Sequence, residues 1–187
     1  MAATRKHYIG VLTASVIALA AGGVGVQQGF IPRWEGTTNV RVVNGERVSV
    51  AIHQKFDPKG VITVCHGHTN YDDPKLKEGD VYTMSMCADI LRNRHLPHYN
   101  AQLASCLPKD FQVGDRMHVA LLSFIINTGR NNFCNSSVGR AFRSGHREVG
   151  CRNMAKFTRA AGKVLPGLVN RRYDRFWGEV AWCLRDD

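Results

Sequence analysis

The sequence has no C-x-x-C pair, no internal repeat and no periodic glycine, although it contains six cysteines and 18 glycines in 187 residues. The first absence argues against zinc ribbons and thioredoxin-like redox sites, and the others argue against solenoids and collagen. Three disulfides formed in an oxidising compartment are the better use of six cysteines. The length suits one domain with a single core, and 21% charged residues with 9% aromatic residues indicate a globular chain.

Acidic residues are scarce relative to basic ones, with 15 Asp+Glu against 25 Lys+Arg, so the formal net charge is +10. Most of the excess lies between Arg140 and Arg175, where ten basic residues accompany two acids, Glu148 and Asp174. A run of charged residues is ordinarily the solvated face of a helix. Because the excess of basic residues is so large here, a cationic surface that faces an anionic wall or membrane is predicted equally well.

A run without formal charge extends from Tyr8 to Val26, directly behind a basic N-terminal end. As a helix it would span about 28 Å, roughly the hydrocarbon thickness of a bilayer, which predicts export or membrane insertion with the basic end in the cytoplasm. Because the run is rich in alanine and glycine, a helix that enters the bilayer can also leave it. Three outcomes stay open: a stable anchor, a released anchor, and a signal peptide cleaved near Ala18-Leu19-Ala20.

The remaining residues divide into a β-rich front and a helical rear. Two β-prone runs flank Asn44-Gly45, a strong hairpin signal, and another β segment is predicted over Val61–Cys65. Helices are predicted over Thr83–Arg94, Asp115–Asn127, Ser137–Ser144, Arg147–Ala161 and Leu165–Leu184. Strands followed by helices indicate an α+β fold, preceded by the N-terminal hydrophobic helix.

Three residues beside the β region have side chains suited to glycosidic bond hydrolysis. This reaction needs a proton donor for the leaving oxygen and a second carboxylate or an oriented water on the other face. Glu35, beside Trp34, suits the donor because apolar surroundings keep a carboxyl protonated. Asp57 precedes a proline in an extended or turn conformation, and the hydroxyl of Thr63 can hold a water.

An ordered set of motifs resembles the phage-type lysozymes of glycoside hydrolase family 24, and more specifically their exported endolysins. The motifs are Trp34-Glu35-Gly36, Asp57 with five residues before Thr63, Thr63–Thr69, Ala120–Gly129 and Gly167–Arg172. The resemblance implies a lysozyme-like α+β fold with a small β-rich lobe and a larger helical lobe. It also implies a monomeric muramidase that acts on peptidoglycan without cofactor or metal.

The resemblance also assigns roles to single residues. Glu35 is expected to be the general acid, Asp57 its partner carboxylate and Thr63 the third catalytic residue. His68 and Asn127 are expected to border the substrate cleft. Residues 1–26 would be a releasable signal anchor in the host inner membrane, with residues 27–187 forming the catalytic domain in the periplasm, so nucleic acid is not an expected partner.

One departure from the family concerns the spacing between the two carboxylates. The family usually has eight residues between them, whereas Glu35 and Asp57 are separated by 21. The extra residues fall on the Asn44-Gly45 hairpin, which can be lengthened without moving its base. Glu46 is the rival for the general acid, but it follows the turn glycine and lacks the Trp-Glu-Gly context.

Several other assignments stay open or are disfavoured. His66 and His68 have the spacing of metal ligands on a strand, but no third ligand stands at a persuasive spacing, so a structural role for His68 is favoured. Six cysteines allow fifteen pairings, of which Cys134 with Cys151 is favoured. The serines lack a Gly-x-Ser-x-Gly context, which disfavours a serine hydrolase. The alternatives to a lysozyme are a lytic transglycosylase and a non-catalytic cationic protein that disrupts wall or membrane.

Overall fold

The computed structural model describes residues 6–22, 29–53, 60–160 and 162–185. The helices are α1 Ala14–Ala21, α2 Phe30–Glu35, α3 Met84–Ile90, α4 Leu96–Ser105, α5 Asp115–Thr128, α6 Arg130–Asn135, α7 Ser137–Arg143, α8 Arg147–Asn153, α9 Pro166–Tyr173 and α10 Glu179–Leu184. The strands are β1 His7–Tyr8, β2 Val40–Val43, β3 Glu46–Val50, β4 Ile52–His53, β5 Ile62–Val64, β6 His68–Thr69, β7 Val81–Thr83, β8 Gln112–Val113, β9 Arg159–Ala160 and β10 Lys163–Val164. This content confirms the predicted α+β class.

The β lobe, formed by strands β2 to β7, consists of two small antiparallel sheets in the orders β2-β3-β7 and β4-β5-β6. The predicted hairpin is confirmed: Val43 pairs with Glu46 across the turn. Asn44 and Gly45 have φ angles of 52° and 84°, which Asn and Gly adopt most easily. A small core lies beneath the sheets, and the Cys65–Cys87 disulfide ties it to α3.

The helical lobe, formed by α4 to α10, surrounds α5. Every residue of α5 from Met117 to Ile125 is buried, as expected for a helix that is covered on all sides. The helices α1, α4 and α10 pack directly against it. The predictions over Asp115–Asn127 and Ser137–Ser144 are confirmed to within one residue at each end.

The N-terminal segment forms part of this core. Strand β1 pairs with β8, and the carbonyl of Gly10 accepts a hydrogen bond of 3.1 Å from Asn100. Val16 and Ala20 of α1 are fully buried in the core around α5. The apolar run therefore contains an eight-residue helix instead of one continuous helix through the described part of the run. None of the helices in the described ranges has the length and hydrophobicity needed to cross a bilayer, and membrane insertion of the segment stays a prediction.

Three of the helix predictions have different bounds in the structure. The helix predicted over Thr83–Arg94 continues from α3 through a π-helical turn, Leu91–His95, into α4. The helix predicted over Arg147–Ala161 ends after a 3₁₀ turn, Met154–Lys156, and is followed by the β9–β10 hairpin. The prediction of a single helix over Leu165–Leu184 is wrong.

The break in that predicted helix lies between α9 and α10. The carboxylate of Asp174 accepts hydrogen bonds from the backbone N–H groups of Phe176 and Trp177, at 2.9 and 2.7 Å. Aspartate competes in this way with helical backbone bonding, so a local turn replaces the helix. A Cβ atom on Gly178 would collide with the backbone of Asp174, so this turn also requires glycine at its end.

The favoured disulfide between Cys134 and Cys151 is wrong. Cys134 pairs with Cys106, and Cys151 pairs with Cys183. The reason is tertiary: α6 packs on α4 and α8 packs on α10, which brings each cysteine opposite a partner that is distant in sequence. All six cysteines are paired.

Candidate active site

Glu35 is the last residue of α2, next to the first strands of the β lobe. Gly36 ends the helix with a φ of 67°, and its N–H donates to the carbonyl of Pro32 at 3.0 Å. Trp34 donates its indole N–H to the carbonyl of Trp177 at 3.0 Å, which fixes the end of α2 against the loop before α10. The side chain of Glu35 is 21% exposed, so it is accessible yet mostly enclosed.

Arg171 of α9 holds the Glu35 carboxylate: its Nη1 lies 2.7 Å from Oε1 of Glu35. The same guanidinium donates from Nε to Glu179 at 2.8 Å and from Nη2 to the carbonyl of Ser123 at 2.7 Å. Burial acts to lower the pKa of Arg171, but the charges of Glu179 and Glu35 outweigh it and the pKa is raised. Arg171 therefore stays charged and positions Glu35 from behind.

Glu179 is the centre of this network and is fully buried. Besides Arg171, it accepts a hydrogen bond from the Ser123 hydroxyl at 2.6 Å and an ion pair from Arg172. Arg172 in turn donates to the side-chain oxygen of Asn127 at the end of α5. A continuous chain of charged contacts thus runs from Glu35 through the helical lobe to Asn127, and Asn127 itself lies at the surface.

Thr63 lies on the β lobe, in β5, and is 6% exposed. The turn after Glu35 is tied to the turn after β5 at two points. The N–H of Thr38 donates to the carbonyl of Cys65 at 2.8 Å, and Nδ1 of His66 contacts the carbonyl of Gly36. These bonds hold the end of α2 beside the strand that carries Thr63.

His68 of β6 is 1% exposed, and its Nδ1 lies 3.1 Å from Nε2 of His95. Burial lowers the pKa of both imidazoles, that of His95 to about 4, so both are neutral at neutral pH. Tyr99, whose ring contacts that of His95, has its pKa raised by burial and further by the charges of Asp72 and Glu35.

The outcome differs among the residues predicted from sequence. Glu35, Thr63, His68 and Asn127 have the placements given above, whereas Asp57 lies outside the described residues. Glu46 is exposed at the hairpin turn, as expected of a solvated residue.

Sequence reasoning missed three residues that organise the site: Arg171, Glu179 and His95. Arg171 falls within the motif Gly167–Arg172, so the signal was present without an indication of its partner. For Glu179 and His95, no local pattern distinguished them from surface residues.

A small β lobe joined to a helical lobe, with a partly enclosed carboxylate where they meet, defines the class of lysozyme-like hydrolases. The comparisons support this class. The fold is similar to that of the muramidase domain of SpmX from Asticaccaulis excentricus, with a TM-score of 0.66 and 21% identity, over 93% of this chain and 97% of that one.

Sequence relatives extend the likeness. The chain is 34% identical to the SAR-endolysin of Enterobacteria phage P21 over 62% of this chain and 67% of that protein. It is 29% identical to the SAR-endolysin of Escherichia phage Mu over 83% of this chain and 82% of that one. The phage lysozyme family model matches residues 47–175, and the chain belongs to that family. It is accordingly a peptidoglycan-degrading endolysin. The matched range includes Asp57 and Thr63 but begins after both Glu35 and Glu46.

Proposed function

We propose that this endolysin is a muramidase that hydrolyses the β-1,4 bond between N-acetylmuramic acid and N-acetylglucosamine, with Glu35 as its general acid. The observation that carries the proposal is the placement of Glu35. Of the two candidate glutamates, Glu35 is the one whose side chain is mostly enclosed. Arg171 holds its carboxylate, and the turn after Glu35 is bonded to the turn after the strand of Thr63. Glu46 has none of these features.

In the proposed mechanism Glu35 donates its proton to the glycosidic oxygen as the bond to the leaving sugar breaks. Asp57 stabilises the positive charge that develops on the sugar or directs the attacking water, and the Thr63 hydroxyl holds that water. His68 and Asn127 would border the bound glycan, His68 from the β lobe and Asn127 from the end of α5.

The test compares Glu35→Gln with Glu46→Gln in the clearing of purified peptidoglycan. Loss of a general acid costs about 10²–10⁴-fold in rate, so Glu35→Gln should be nearly inactive. Glu46→Gln is the matched control, since it makes the same chemical change 11 positions further on at an exposed residue, and it should clear the substrate at the wild-type rate. The reverse pattern would make Glu46 the acid.

A lytic transglycosylase acting on the same substrate is distinguished by its products. Hydrolysis leaves reducing muramic ends, whereas transglycosylation leaves anhydro-muramic ends because the sugar's own hydroxyl replaces water. Mass spectrometry of the released fragments separates the two. Mainly anhydro ends would contradict the proposed reaction while keeping the substrate.

A non-catalytic cationic protein is the weaker alternative. Arg171 and Arg172, two of the ten basic residues between Arg140 and Arg175, are buried and paired with Glu179 and Glu35, so the surface of this segment is less cationic than its sequence indicates. A protein acting through surface charge would retain its activity in Glu35→Gln, which the same clearing assay measures.

The proposal includes export as a monomer, with residues 1–26 held in the inner membrane until release and residues 27–187 in the periplasm. The packing of α1 on α5 supports the release step, because it gives the released segment a folded destination. Fractionation tests it: intact chain should be found in the membrane before lysis and in the soluble fraction afterwards. A mature chain that starts near Gly22 at all times would indicate cleavage instead.

A further inference from the structure

We infer that His68, His95 and Asp72 form a binding site for a divalent transition-metal ion such as Zn²⁺. One ligand atom from each residue lies within 4.8 Å of the other two. Nδ1 of His68 is 3.1 Å from Nε2 of His95 and 3.9 Å from Oδ2 of Asp72. Two imidazole nitrogens and a carboxylate oxygen are a donor set that Zn²⁺ takes readily. With metal–ligand bonds of about 2.1 Å, ligand atoms on one tetrahedral ion lie roughly 3.4 Å apart, so small movements suffice.

The three ligands come from both sides of the lobe boundary. His68 is in β6 and Asp72 follows four residues later in the same turn, whereas His95 ends the π-helical turn between α3 and α4. A π-helical turn contains an extra residue compared with an α-helical one, and such turns recur at functional sites. This turn ends with the His95 ring against His68. The site shares His68 with the proposed border of the glycan cleft but includes none of the proposed catalytic residues, Glu35, Asp57 and Thr63.

The two imidazoles are prepared to act as ligands. Both rings are buried, with His68 1% and His95 9% exposed, and their facing nitrogens already lie 3.1 Å apart. Nε2 of His68, which is buried without a hydrogen-bond partner among the described residues, is not the nitrogen that faces His95 and Asp72 and takes no part in the site.

Asp72 supplies the third ligand and the path of entry. Its Oδ2 accepts hydrogen bonds from the backbone N–H and the hydroxyl of Thr69, at 2.9 and 2.8 Å, which orient the carboxylate as outer-shell partners do in known metal sites. The Asp72 side chain is 43% exposed, whereas that of His68 is 1% exposed. An ion would therefore arrive from the Asp72 side, where solvent can complete its coordination.

A bound ion would join the turn after β6 to the helix that begins at Leu96, and so would stabilise the folded chain against unfolding. Mg²⁺ should not do so, because it prefers oxygen ligands and keeps its own water. The two cations therefore separate a true histidine site from a general effect of ionic charge.

The test uses the full chain, stripped with a chelator and titrated with Zn²⁺ by calorimetry and by thermal unfolding, with Co²⁺ absorption to report tetrahedral coordination. Saturating Zn²⁺ should raise the Tm and Mg²⁺ should not. Asp72→Asn and His95→Gln should each weaken binding by at least roughly tenfold, the scale already seen on loss of an outer-shell partner. His98→Gln is the matched control, since His98 is exposed one turn further on and lies outside the cluster, and it should bind as wild type.

Three results would overturn the inference: no Tm rise with Zn²⁺, an equal rise with Mg²⁺, or equal Zn²⁺ affinity in Asp72→Asn and His98→Gln. The last comparison remains decisive if the buried substitution at His95 prevents folding, because Asp72 and His98 are both at the surface and circular dichroism verifies that each variant is folded. The results for Zn²⁺ are independent of those for Glu35→Gln in the clearing assay.

Discussion

Replacing Glu179 with glutamine removes a negative charge from the interior of the helical lobe while keeping the shape of the side chain. The wild-type carboxylate is fully buried and accepts from Arg171 at 2.8 Å, from Ser123 at 2.6 Å and from Arg172. The amide of glutamine would turn one of these acceptors into a donor that faces a guanidinium. Arg172 would then lose the carboxylate it is paired with, and Arg171 would keep only its ion pair with Glu35.

The size of the effect follows from this burial. Breaking a buried ion pair by removing one partner costs about 3–5 kcal/mol in the free energy of unfolding. For a chain of this length each kcal/mol moves the Tm by about 2–4 °C, so Glu179→Gln should lower the Tm by roughly 6–20 °C. Urea unfolding followed by circular dichroism measures the free energy directly.

Glu148→Gln is the matched control for this prediction. Glu148 also pairs with an arginine, Arg152, at 2.8 Å, but both side chains are about two-thirds exposed. Exposed pairs four residues apart on a helix contribute about 0.3–0.5 kcal/mol, so this variant should unfold close to the wild-type temperature. If Glu179→Gln also stayed within about 1 kcal/mol of wild type, the network would not be what holds α9, α10 and α5 together, and the reasoning would be refuted.

Two further predictions concern pH and packing. Burial lowers the pKa of His118 to about 3 and that of His95 to about 4 from 6.5, so the unfolded chain binds protons below pH 6.5 that the folded chain does not. The free energy of unfolding should therefore fall as the pH is lowered from 6.5 towards 4, by up to about 1.4 kcal/mol per pH unit for each histidine. In urea titrations, the free energy of unfolding of His118→Asn should depend less steeply on pH than that of the wild type. Gly150→Ala should destabilise the fold by about 1–3 kcal/mol, because the new Cβ would lie 2.7 Å from the ring of Phe142. Gly167→Ala is the control: a Cβ there would have nothing within 4 Å, so this variant should be neutral or stabilising. Equal Tm values for the two variants would contradict the prediction.

The parts of the fold that the sequence predicts are those with local causes. The turn at Asn44-Gly45 requires positive φ angles, and the mainly apolar stretch from Met117 to Ile125 requires burial, so both appear where expected. The break after Asp174 was missed because it depends on a side chain that competes with the helix backbone and on a close approach at Gly178.

The candidate site follows the same division. The sequence predicts that Glu35 lies beside the β region, but it does not predict the short helix α2 that ends at Glu35. Its partner Arg171 is 136 positions away, and Glu179 contacts Arg171 only because α9 and α10 pack against each other. Neither pattern nor spacing encodes such a contact; it arises when the chain folds.

The small side chains of the N-terminal segment affect both its affinity for a bilayer and its packing in the folded core. Small side chains make the run from Tyr8 to Val26 a weak membrane anchor, since alanine and glycine bury little apolar area in a bilayer. The same small side chains allow α1 to approach α5 closely, where Val16 and Ala20 are fully buried. Polar contacts absent from a lipid environment, such as the pairing of β1 with β8 and the bond from Asn100 to Gly10, further favour the docked position. Larger side chains would raise the affinity for lipid and would also crowd the core around α5, so the proposed release would be favoured by residues that are only moderately suited to either place.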